Sequence, residues 1–173
     1  YLSVVCYDSN PNGIVISDSR RDAPLNNTDS FMFVLDTFKD QQNGYVFGTN
    51  AAGIEYDAQV IGGDGMSMNS SRQSVGVGAN LNINWDASWE VKTIIGDFGW
   101  SAEFAIPFKT LRFSSQENQN WGINFQRNIA QKNEQSFWAP IPRQFSLNRL
   151  SLAGNVTGIN IPSSRNIKIM PYA

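Results

Sequence analysis

The 173-residue chain contains no histidine. That excludes imidazole-based catalytic triads, histidine zinc sites and histidine-ligated haem in one step. Cysteine is equally scarce: Cys6 stands alone, so no intramolecular disulfide can form. A lone cysteine on a strand pattern is expected as a buried, inert thiol that packs like a small hydrophobe. Charged residues make up 16% and the net charge is −2, with no basic stripe to suggest nucleic acid as a partner. No run of about 18 apolar residues occurs, so no segment reads as a membrane-spanning helix. No long stretch repeats its apolar residues at helical spacing.

What is present is a series of short strand patterns joined by Gly, Asn, Asp and Pro turns. Leu2, Val4 and Cys6 alternate with Ser3, Val5 and Tyr7. The turn cluster Asp8–Gly13 follows, and Ile14-Val15-Ile16 begins a second short strand. Phe31–Leu35, FMFVL, is continuously apolar, as in a strand covered on both faces. Tyr45, Phe47 and Thr49 form its partner, and 55–60 continues as strand. Residues 62–80 are rich in Gly, Ser and Asn and read as one long surface loop. The sharpest pattern is Asn84–Phe113. Trp89, Val91, Thr93 and Ile95 share one face, and Trp100, Ala102, Phe104 and Ile106 share one face of the return strand, with Gly96-Asp97-Phe98-Gly99 as the turn. Trp121, Ile123, Phe125 and Arg127 mark another strand. Residues 129–136 read as a polar excursion, Leu147, Leu150 and Leu152 as a weak strand, and 156–161 as one more. The expected fold is all-β, an antiparallel β-sandwich formed by residues 1–161, with 162–173 a linker or the start of a following region. The chain opens in mid-strand without an initiator Met and reads as a piece of a longer protein.

Three kinds of chemistry can be weighed. Carboxylates are available, among them Asp8, Asp22, Asp36, Asp40, Asp57, Asp86, Glu90, Glu103 and Glu134, but nothing pairs two of them across a cleft, so catalysis is not expected. Asp8, Asn10 and Asn12, and Asp36 with Asp40, place oxygens in turns. These suit a structural calcium, but the spacing is not that of an EF-hand and no ligand set follows. The Asn-x-Ser/Thr matches at Asn26, Asn69 and Asn155 are expected by chance in so polar a chain. Five tryptophans remain. Trp89, Trp100 and Trp121 are in phase with apolar neighbours and are expected in the core. Trp85 precedes a strand, and Trp138 sits in a proline-bounded loop after a polar segment. An indole stacks on the C–H face of a sugar while polar side chains bond its hydroxyls, and Asn124, Gln126, Arg127, Asn128 and Glu134 supply such a set. An interior Trp clamping the loop is the alternative for Trp138.

The segment GWSAEFAIPFKTLRF resembles a stretch of the family 9 carbohydrate-binding modules and their DOMON-like relatives, and WGINFQRN resembles a strand of the same modules. CYDSNP, FVLDTFKDQQNGYVFGTNAAG and NFQRNIAQKNEQSFWAPIPR resemble the family-9-like domain that precedes a β-barrel region in outer-membrane proteins of Bacteroidetes. The likeness runs over about Tyr1–Ile161. It implies a β-sandwich, a place in the envelope of a Gram-negative bacterium (periplasm, outer membrane or cell surface), a poly- or oligosaccharide ligand and a β-barrel region of the same protein as partner. Asn128 matches the polar residue that ends the strand, and Trp138 the later stacking Trp. The earlier aromatic of the family's clamp is Trp85 or lies upstream of Tyr1. Gly48 stands where relatives often carry Arg. The expected function is a non-catalytic carbohydrate-binding module. A structural or protein-interaction domain that binds no sugar is the alternative. A DOMON-like haem domain is disfavoured by the missing histidine.

Overall fold

In a computed structural model, residues 1–62 and 81–161 are described. The Gly/Ser/Asn-rich stretch from 63 to 80, with Asn69, and the segment 162–173 lie outside them. The described chain is almost entirely β, with two antiparallel sheets packed as a sandwich. The smaller sheet has the order β1-β7-β6, where β1 is Leu2–Tyr7, β6 Glu90–Gly96 and β7 Gly99–Ala105. The larger has the order β10-β8-β2-β3-β4-β5, with β9 also paired to β8. Its strands are β2 (Ser30–Asp36), β3 (Gly44–Asn50), β4 (Tyr56–Val60), β5 (Leu81–Asn82), β8 (Asn118–Ile129), β9 (Glu134–Phe137) and β10 (Gly154–Asn160).

The run FMFVL has the environment its composition demands. Phe31, Phe33 and Leu35 point between the sheets, where they meet Phe47, Trp89, Trp100 and Phe104. Val34 points the other way, into a second apolar layer with Val46, Tyr56, Ala58 and Val60. Loop residues Leu25, Ile54, Leu147 and Leu150 cover that second layer. The central strands are therefore buried on both faces, and the rings within the sandwich interlock: Phe33 meets Phe104 edge-on at 5.1 Å and stacks on Phe47 at 5.6 Å.

The β6–β7 hairpin turns through Asp97 and Phe98, with Gly96 opposite Gly99. Gly99 is required: its φ is 122°, and a Cβ there would lie 2.2 Å from the Cys6 carbonyl oxygen on β1. Cys6, Trp89, Trp100 and Trp121 are all buried, as their phase indicates.

Three expectations need correction. Ile14-Val15-Ile16 forms no strand; Val15 is fastened to the start of β2 instead, donating its N–H to Asp29 Oδ2 and accepting from the Asp29 N–H and Thr28 Oγ1. The polar excursion 129–136 is partly strand, because a short turn at Ala130–Lys132 and a left-handed Asn133 fold β9 back on β8. The weak strand at Leu147–Leu152 is loop with a 3-10 turn, Leu150–Leu152, and Leu147 and Leu150 serve the second apolar layer.

Asp57, on β4, ties three segments together. Its carboxylate accepts from Trp89 Nε1 at 3.1 Å, the Ala87 N–H at 2.8 Å and Arg21 Nη2 at 2.7 Å, while Arg21 also pairs with Glu55 and Asp86. Removing one partner of such a buried pair leaves the others unsatisfied. Asp57→Ala is therefore expected to lower the unfolding free energy by about 2–3 kcal/mol in urea denaturation. A change within about 0.5 kcal/mol, as at an ordinary surface site, would show that the knot is dispensable.

Candidate functional site

The two sheets are not matched in width. β6 lies over β3, since Trp89 meets Phe47 at 5.2 Å and Thr93 Oγ1 donates to the Ala51 carbonyl. β7 lies over β2, where Phe104 meets Phe31 and Phe33. β1 lies over β8, because Arg127 Nη2 donates to the Tyr7 carbonyl at 2.7 Å. β9 and β10 extend one strand further. Their inward face forms a ledge beside β1, whose outer edge is unpaired among the described residues.

Trp138 stands on this ledge, 59% exposed. Its N–H donates to the Phe125 carbonyl at 3.0 Å, and its ring meets Phe125 edge-on at 5.7 Å. The benzo edge of the indole rests over Gly154 on β10, where a Cβ would fall 2.3 Å from Cζ3. Asn124 fixes the backbone immediately after it. The Asn124 side chain accepts from the Ala139 N–H at 2.8 Å and donates to the Ala139 carbonyl at 3.1 Å. Pro140 and Pro142 stiffen the continuation. Backbone, neighbour ring and floor all hold the indole, yet its surface remains open.

The same face carries polar groups in register. Arg127 is opposite Ser136, and Ile129 is opposite Glu134. Ser136 Oγ donates to Glu134 Oε1 at 3.3 Å. Cross-strand diagonals on one face span about 7–8 Å, so Trp138, Arg127 and Ser136 lie within reach of one small ligand. Arg127 Nε is buried and has no hydrogen-bond partner among the described residues. Behind it lies Asp29, fully buried; desolvation raises the pKa of its carboxyl, and the nearby Arg127 charge partly opposes that rise.

The structure separates the remaining expected site residues from this face. Gln126 and Asn128 alternate to the opposite side of β8 and are buried. Asn128 Nδ2 donates to the Leu25 carbonyl and Ser30 Oγ, both at 2.9 Å, and its Oδ1 accepts from Gln126 and Gln135. These bonds use the full capacity of the amide, so it holds the covering loop and has nothing to offer a ligand. A one-residue step along a strand reverses the face, which is why neighbours of Arg127 in sequence are not its neighbours in space. Trp85 is half-buried and packs on Tyr45 at 4.9 Å and Phe47 at 6.0 Å. It lies over β3, three strands from β9, or about 14 Å at normal strand spacing. Trp85 and Trp138 therefore cannot clamp one sugar ring.

The oxygen-rich turns are engaged as acceptors. Asp8 takes the Asn10 N–H and Gln131 Nε2; Asp36 takes the Asp40 and Gln41 N–H groups. A cation at either turn would compete with bonds already made. Asn124, expected among the polar groups that bond a sugar, holds the Ala139 backbone instead. Nothing local in the sequence marks Ser136 or Gly154.

No family model and no curated protein matches the sequence. Among solved structures, the fold is similar to that of a protein from Bacteroides uniformis described as a "putative carbohydrate-binding protein", with a TM-score of 0.57 and 14% identity over 83% of this chain and 67% of the other. What the two chains share is the fold. At that identity the likeness shows the β-sandwich fold alone and carries no residue assignments.

Two outcomes follow from this geometry. Gly154→Val is expected to push the indole off its floor, seen as a shift of tryptophan emission with the melting temperature changed by only a few degrees. An unchanged spectrum would show that Gly154 does not seat Trp138. The buried Asp29 carboxyl binds its proton more tightly folded than unfolded, so its contribution to stability grows as pH falls through the folded pKa toward about 4, the unfolded value. Asp29→Asn is expected to reduce the rise in melting temperature between pH 7 and pH 5; Asp36 and Asp57, also raised by burial, retain the remainder.

Proposed function

We propose that this domain is a non-catalytic carbohydrate-binding module, and that a poly- or oligosaccharide stacks on Trp138 along the ledge. The observation that carries this reading is an indole anchored on three sides whose open surface adjoins a guanidinium and a hydroxyl, with a carboxylate one row beyond them. Large aromatic side chains are ordinarily buried, and one held rigidly in the open with convergent polar groups is the arrangement that sugar recognition needs. Arg127 and Ser136 can donate to hydroxyls, and Glu134 can accept from them. Glu134 is the sole acid on the strands that form the ledge, and Asp8 beside it is engaged by the Asn10 N–H and Gln131 Nε2. The likeness in fold to the Bacteroides protein points the same way. The sequence resemblance extends the reading to an exported domain of the Gram-negative envelope, working beside a β-barrel region of the same protein.

A second reading is favoured by one feature. On the outer face of the smaller sheet, Val5, Ser101 and Ile94 align in register, with Tyr7 adjoining; Val5, Ile94 and Tyr7 are 49%, 67% and 72% exposed. An apolar row of this kind is suited to contact with another protein surface. A domain that binds no sugar predicts a Trp138 buried under its own loop, whereas the indole is exposed.

The two part on titration with xylan, cellulose, glucan and acidic oligosaccharides. Sugar binding predicts a change in tryptophan fluorescence and calorimetric heat, and a loss of affinity of about 5- to 150-fold in Trp138→Ala, taking the roughly 1–3 kcal/mol that an aromatic platform contributes under a stacked nucleic-acid base as the guide. Trp85→Phe should retain binding. Flat titrations across the whole panel would overturn the sugar reading.

A further inference from the structure

We propose that the glycan recognised at the Trp138 ledge is anionic, with a uronic-acid carboxylate bound by Arg127; this rests on the sugar-binding reading above. The inference starts from the state of the Arg127 guanidinium. It is half-buried and held by one hydrogen bond, from Nη2 to the Tyr7 carbonyl. No carboxylate stands within ion-pair distance of it among the described residues, whereas Arg20 and Arg21 are both paired. Buried or half-buried guanidinium groups ordinarily have an anionic partner, because removing the charge from water is otherwise uncompensated. Asp29 lies near enough to influence Arg127 but is not in ion-pair contact, and it sits on the interior side. Arg127 shares the ledge face with Ser136, directly opposite it, and with Trp138 on the diagonal.

The ledge strands themselves carry Arg127 and Lys132 against Glu134, and Asp8 approaches the same turn through its bond to Gln131. Glu134 is exposed and bonded to Ser136, so water screens it, and it sits one row beyond Arg127 on the side away from Trp138. A pyranose stacked on Trp138 would therefore meet Arg127 first. The planar guanidinium fork matches a carboxylate better than a hydroxyl, and such charge-assisted bonds are roughly twice as strong as neutral ones.

The test uses two probes on the unaltered protein: polygalacturonate oligomers, and the same oligomers with their carboxyl groups reduced to alcohols. The expected result is at least about tenfold tighter binding of the acidic form, weakened by salt, with the reduced form indifferent to salt. Arg127→Gln should bring the two forms to equal affinity, while Glu134→Gln should raise the ratio of acidic-form to reduced-form affinity. Because Arg127 also holds Tyr7, a misfolded Arg127→Gln is replaced as evidence by the salt series and by Glu134→Gln. Equal binding of both forms by the unaltered protein overturns the anionic assignment and leaves sugar binding standing. Binding of neutral xylan or glucan with none of the acidic form does the same. Silence toward every glycan, with tryptophan emission unmoved, removes both readings.

Discussion

The structure depends on the burial of β2, β3 and β8 on both faces. A sheet with one wet face can leave its outward polar groups to water. Here the outward face lies under loops, so each polar side chain on it needs a protein partner. Asn124, Gln126 and Asn128 alternate along that face of β8, and each bonds to a covering segment or to one another. They act as fasteners. Asn128 and Ser30 hold the loop through Leu25, and Asn124 holds Ala139. Through that last bond, burial on one side of the sheet fixes the position of Trp138 on the other.

A second consequence concerns the edge. Three strands cover the inward face of a wider sheet, and the uncovered margin is where Trp138 and Ser136 lie. The margin is not a loose extension. Phe125 stacks on Phe31 at 5.8 Å, Phe31 adjoins Phe33, and Phe33 stacks on Phe47, so a row of rings runs from the ledge into the centre of the sandwich. Trp138 rests its edge on the end of that row. The rigidity of the core is thus delivered to an exposed indole, which limits the ordering entropy that a ligand would otherwise have to offset.

Much of the fold was legible in the sequence. Period-2 alternation placed β1, β6, β7 and β8, and the unbroken FMFVL run announced a strand covered twice. The failures were local. Val15 has a strand-like sequence but answers to the buried Asp29, and the 129–136 segment lacks apolar alternation because β9 faces water on the ledge side. Of the site residues, Trp138, Arg127 and Glu134 fall together. Gln126 and Asn128 were drawn in by closeness along the chain, and Trp85 by its polar flanks.

The sequence by itself determined the class of fold, the core tryptophans and the chemistry that is excluded, because composition and strand period act within a few residues. Only the tertiary structure decided which residues share a surface. That depends on register and on the relative widths of two sheets, which no local pattern encodes. The hairpin of Trp89, Trp100 and Phe104 is the interior wall of the sandwich, and the ledge proposed for sugar binding lies at the opposite margin, where the larger sheet extends past β1.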